Sequence, residues 1–144
     1  MGLSMYVFQT TEDNLSEDPT DVVDESKLVE VYYWRNHPKL HRWFENLYRE
    51  KGGKYKEFNC EYVKVTIEDI NKLEQVLKED ELPIYNDCYM KFGCFSNWYE
   101  LSSVKYNHDI QFITIVRNIL EDSNSLVYSA CYADYVDMNS TNQF

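Results

Sequence analysis

The side chains best able to do chemistry gather in one stretch, Tyr33-Trp34-Arg35-Asn36-His37-Pro38-Lys39-Leu40-His41-Arg42. His37 and His41 stand four residues apart, so on a helix they share an edge and could hold a metal if a third ligand such as His108 or Asp109 arrived from elsewhere in the fold. No HExxH accompanies them, and Glu45 lies further round the helix toward solvent. Structural histidines, bonded to a tyrosine or a carbonyl, are the plainer expectation, and no metal is assigned. Arg35 comes just before a helix start, where free N–H groups and the helix dipole favour an anion. Tyr33, Trp34, Arg35, His37, His41 and Arg42 therefore form the candidate ligand-binding set, cationic groups for a phosphate or carboxylate beside rings on which a base could stack. The competing reading pairs Arg35 with an acid of the N-terminal segment and leaves the aromatic block as core.

Elsewhere the chemistry is thin. Ser102-Ser103 and Cys60 have no neighbouring partner in the sequence that marks a triad or dyad, and Asn107-His108-Asp109 reads most simply as a helix start. No Gly-rich phosphate loop or CxxC pair is written into the chain, so no cofactor is expected and the protein leans away from being an enzyme. Cys60, Cys88, Cys94 and Cys131 are scattered, and the first residues lack a basic region and a long apolar run. Reduced thiols, a cytoplasmic location and no membrane association follow as expectations.

Charge is unevenly placed along the 144 residues, whose net value is −11. Residues 1–30 carry eight acids against Lys27, whereas 32–59 carry seven bases against Glu45, Glu50 and Glu57. The overall field repels phosphates, which opposes general nucleic-acid binding. The positive island still allows a local anion site.

These residues need elements to position them. Met5–Thr10 is β-branched and aromatic and predicts a first strand, and 11–27 is polar, acidic and aperiodic, a solvated loop or an arm that meets a basic partner or the basic segment. Leu28–Tyr33 fits a short strand or the approach to a helix. Asn36 can cap that helix with Pro38 in its first turn, and Leu40, Trp43, Phe44, Leu47 and Tyr48 make its apolar stripe until Gly52-Gly53 ends it. A strand over 58–66 follows, with Tyr62-Val63-Lys64-Val65 alternating. A second helix capped by Thr66 with Asp69 three residues on buries Ile67, Ile70, Leu73, Val76 and Leu77. Residues 82–106 read as an irregular ordered segment with a short helical turn near 97–101. A third helix is expected over 109–122 with Asn107 as cap, then a last strand over 126–132 and a polar tail over 134–144. The pattern predicts a single α+β domain over 1–144, with core 28–132: a small, mainly antiparallel sheet of three to five strands and about three helices packed on one face.

Tyr33-Trp34-Arg35, His41-Arg42-Trp43-Phe44, Phe58-Asn59-Cys60, the Leu82-Pro83 break, Phe92-Gly93 and Val127-Tyr128-Ser129 resemble a family of small phage and bacterial proteins with a YWRK…H.W signature, over about residues 28–132. Asn36 stands where that pattern has lysine, and Cys131-Tyr132 where it has a Ser-Trp ending. Some members carry a phosphoglycerate kinase label, but such a kinase needs two lobes and several times this length. The small single domain, the acidic segment, the lack of catalytic motifs and this phage-like resemblance together point to a non-catalytic phage-type accessory protein that binds and neutralises or redirects a host factor, in counter-defence or host takeover. The alternatives are a sponge for a nucleotide-like anion through Arg35, His37 and His41, and a metal-dependent hydrolase.

Overall fold

The structure is a computed structural model that describes residues 2–35, 37–83 and 102–132, with backbone alone for 102–106. Among these residues the main elements run in the order β1 (Leu3–Thr10), β2 (Val29–Arg35), α1 (Pro38–Glu50), β3 (Tyr62–Val65), α2 (Ile67–Lys78), α3 (Ser102–Glu121) and β4 (Ser125–Tyr132). The strands form one antiparallel sheet in the order β2-β1-β4-β3. This is the α+β architecture expected, with four strands and three helices among the described residues.

Alternation decides which strand residues face the helices. Leu3, Met5 and Val7 of β1, Trp34 of β2, Val63 and Val65 of β3, and Leu126, Tyr128, Ala130 and Tyr132 of β4 are buried in one core. The helices meet them with period-3.6 stripes: Leu40, Phe44, Leu47 and Tyr48 from α1, Ile70, Leu73 and Leu77 from α2, Phe112, Ile113 and Val116 from α3. Phe44 stacks on Tyr128 with centroids 3.8 Å apart, and Tyr48 stacks on Phe58 at 4.6 Å. The end of α1 is fixed sterically as well as by glycine freedom. Gly52 takes φ +94°, and a Cβ on Gly53 would collide with the Tyr48 ring.

Local signals and long-range ones fared differently. At α2 the Thr66 side chain accepts from Asp69 N at 3.2 Å while Asp69 Oδ2 accepts from Thr66 N at 2.9 Å, a reciprocal capping box. At α3 the expectation needs correcting, since the helix begins at Ser102 and Asn107 lies inside it, exposed. An asparagine on a solvated helix face costs at most about 0.7 kcal/mol, a weak preference that tertiary context overrides. At α1 the cap position falls to His37, with Pro38 first in the helix, and Asn36 lies outside the described residues. The expectations for 84–101 and for the tail from 133 lie outside them too.

The acidic segment between β1 and β2 is an ordered strap. Leu15 and Val22 form a bridge, and the buried Asn14 donates to Thr10 Oγ1 (2.9 Å) and the Asp24 carbonyl (3.0 Å) while accepting from Asp24 N (2.9 Å). Its attachments run to β3 and β4: Lys64 Nζ to Glu12 at 2.7 Å, Ser125 Oγ to Glu12 at 2.6 Å, Tyr62 OH to Glu25 at 3.0 Å, and Lys64 N to the Pro19 carbonyl at 2.7 Å. Val127, on the sheet face away from the helices, is buried yet stands outside the main core cluster.

Candidate functional site

The opening stretch divides between two buried polar centres. At the first, Trp34 Nε1 donates to Asp109 Oδ1 at 3.1 Å and His37 Nε2 lies 2.8 Å from Asp109 Oδ2. All three residues are at most 3% exposed. The end of β2 supplies Trp34, the start of α1 supplies His37, and the inner face of α3 supplies Asp109, so one carboxylate ties three elements together. Tyr32 OH donates to the His108 carbonyl at 2.8 Å, and its ring lies against Trp34 and Phe112. Burial, and then the Asp109 charge, push the Tyr32 hydroxyl up to about 12.

At the second centre, His41 Nδ1 lies 2.7 Å from Tyr128 OH while the imidazole stacks on Phe58. Tyr128 is wholly buried, and desolvation, with a smaller contribution from the Glu45 charge, raises its hydroxyl well above the ordinary tyrosine value. A phenol kept neutral serves as donor to the imidazole nitrogen, which makes the pair a satisfied polar link inside an aromatic core.

The six candidate residues therefore do not converge on one cleft. Trp34, His37 and His41 point inward, Arg42 is half-buried with Nε 3.4 Å from Glu45 Oε1, and Tyr33 and Arg35 are exposed on the other side of the sheet. Among the described residues no group of three or more His, Cys, Asp or Glu side chains is placed to hold a metal ion, and no helix is long and apolar enough to cross a membrane.

What the outer side of the sheet presents follows from strand register. Arg35, Ser4 and Cys131 form one row, Tyr33, Tyr6, Ser129 and Tyr62 the next, and Glu30, Phe8, Val127 and Lys64 a third. A β-bulge between Val7 and Phe8 shifts the β2 register by one residue, which is why Glu30 shares this side with Tyr33 and Arg35. The strap attaches to the β3–β4 half of this surface. On the β1–β2 half, Tyr6 stacks on Phe8 (5.7 Å) and tilts against Tyr33 (5.2 Å), with Tyr33 39% exposed. Glu30 and Arg35 flank these rings, both exposed.

Tyr6 and Phe8 escaped the sequence reading of candidate residues, although a signal was present. Met5, Tyr6, Val7 and Phe8 are apolar on both sides of the strand, which a sheet with one solvated face does not require. No family model matches the chain, and no curated protein or solved structure matches it either.

Proposed function

We propose that the chain is a non-catalytic accessory protein of the phage type that binds and neutralises or redirects a host protein, using the outer face of β1 and β2. The observation that carries this reading is the aromatic strip Tyr33–Tyr6–Phe8, half-exposed and flanked by Glu30 and Arg35. Tyrosine and arginine are the residue types that dominate binding energy at protein interfaces, and a strand face presents them with little ordering cost. The signature resemblance of residues 28–132 supports the phage-type setting, and the charge of −11 favours a partner with a basic surface. The buried histidine centres stabilise the sheet and helices behind this surface and take no direct part.

The test is quantitative capture from bacterial lysate by the tagged protein, with Tyr33→Glu and Lys72→Glu variants run in parallel. Lys72 lies exposed on α2, in the helical layer. A specific partner held by the wild type and by Lys72→Glu, but at least about tenfold weaker with Tyr33→Glu, is the expected result. A partner indifferent to Tyr33→Glu, or no specific partner, removes the proposal.

A further inference from the structure

At one end of the outer sheet surface, a disulfide joins Cys60 to Cys131, with Cα atoms 4.8 Å apart and 71 residues between them in sequence. This corrects the expectation of reduced thiols at these two positions. The link forms because the chain before β3 doubles back along the end of β4, a contact that spacing in the sequence does not reveal.

Two features separate this link from a buried staple. Both cysteines are exposed, so an external thiolate can approach either sulfur. The turn that brings them together is also held without the sulfurs. Cys60 N donates to the Ala130 carbonyl at 2.7 Å, Asn59 Nδ2 donates to the Tyr132 carbonyl at 2.7 Å, Tyr132 N donates to Asn59 Oδ1 at 2.9 Å, and Tyr132 OH donates to Glu57 at 3.0 Å. Beneath the turn, Phe58 and Tyr132 are buried in the core. Cys60 adopts φ +60°, a left-handed conformation that a non-glycine residue keeps only when its surroundings impose it, and the Asn59 bonds do so.

We propose that Cys60–Cys131 is a reversible thiol–disulfide exchange site whose substrate is a dithiol of the CxxC protein class. A thiolate of the dithiol attacks one sulfur, the Cys60–Cys131 bond breaks, and a mixed disulfide forms. The second thiolate of the dithiol then displaces the remaining cysteine and leaves as a disulfide. The dithiol loses two electrons and two protons, and Cys60 and Cys131 gain them as two thiols. Because the turn persists, the thiols stay adjacent, and oxidised glutathione closes the bond again. The site stands independently of the partner-binding surface proposed above.

The experiment equilibrates the native full chain in glutathione buffers of graded poise, and separately with reduced thioredoxin. Differential alkylation and peptide mass mapping then quantify each cysteine, with Cys88 and Cys94 read in the same digest. Cys60 and Cys131 should convert together as a two-electron couple, return to the disulfide on reoxidation, and leave the cooperative thermal transition in place in both states. An Asn59→Ala variant should be shifted toward the dithiol at the same poise, because the pair is then less well held together. Three outcomes overturn the inference: both thiols free at every poise, a disulfide reducible only in denaturant, or loss of the thermal transition on reduction. A Cys60→Ser chain that still melts cooperatively separates the last outcome from damage caused by handling.

Discussion

Asp109 serves two buried donors at once, and little else could. Trp34 Nε1 and His37 Nε2 approach different oxygens of its carboxylate, and nothing smaller than a carboxyl or carboxamide can reach both. Asp109→Ala should cost about 3–5 kcal/mol, because it strands two buried polar groups rather than deleting one favourable contact. Asp109→Asn should cost clearly less, since its oxygen can still accept from Trp34 while its amide donates to a histidine nitrogen of the other tautomer. Urea unfolding followed by tryptophan fluorescence measures both variants. At this scale the sequence was half-legible. The stretch containing Trp34, His37 and His41 stood out, and a tyrosine partner for a histidine was anticipated. Which tyrosine, and which carboxylate, was not, because Asp109 and Tyr128 lie 72 and 87 residues from the imidazoles they serve.

Among elements, α2 and the strap mark the two ends of legibility. The α2 boundary is written in four consecutive residues, Thr66 to Asp69, and the bonds that enforce it are equally local. Thr66→Ala should lower stability by about 1 kcal/mol, read as a lower melting temperature in a circular dichroism scan with the helical signal otherwise intact. The strap gave no such signal, since what fastens it to the sheet is Lys64, Tyr62 and Ser125, residues of β3 and β4 that only tertiary folding brings near. Its acidic composition suited solvent equally well. The outer aromatic strip lay between these extremes. The lack of polar alternation in β1 carried its signal, but the bulge that places Glu30 beside Tyr33 could not be read from β2 alone.

For the molecule as a whole, charge sets the dependence of stability on pH. Glu12 is held below its usual value by hydrogen bonds from Lys64 and Ser125, and Glu74 by a hydrogen bond from Arg117. A folded-state value depressed in this way adds stability that is present above the unfolded value near 4.5 and is lost as pH falls through the folded one. Glu61, raised by burial, works in the opposite direction and offsets part of that loss. At the alkaline end Tyr32 and Tyr62 are pushed up to about 12, so the stability they contribute is complete below pH 10 and disappears as pH rises through 12. Melting temperature should accordingly fall on both sides of a neutral plateau, and Glu12→Gln should flatten the acid limb.

The order of strands in the sheet has a kinetic side. β1 lies between β2 and β4, and its partner in β4 reaches from Ser125 to Tyr132, so Leu3 finds its neighbour only across almost the whole chain. Loop closure on that scale places the molecule among slow-folding topologies. On a ribosome the paired β1 and β2 emerge before β4, with one long edge of β1 bare, rich in Met, Tyr, Val and Phe. It stays so until β4 is made, an interval in which the nascent protein depends on chaperones or on speed to escape aggregation.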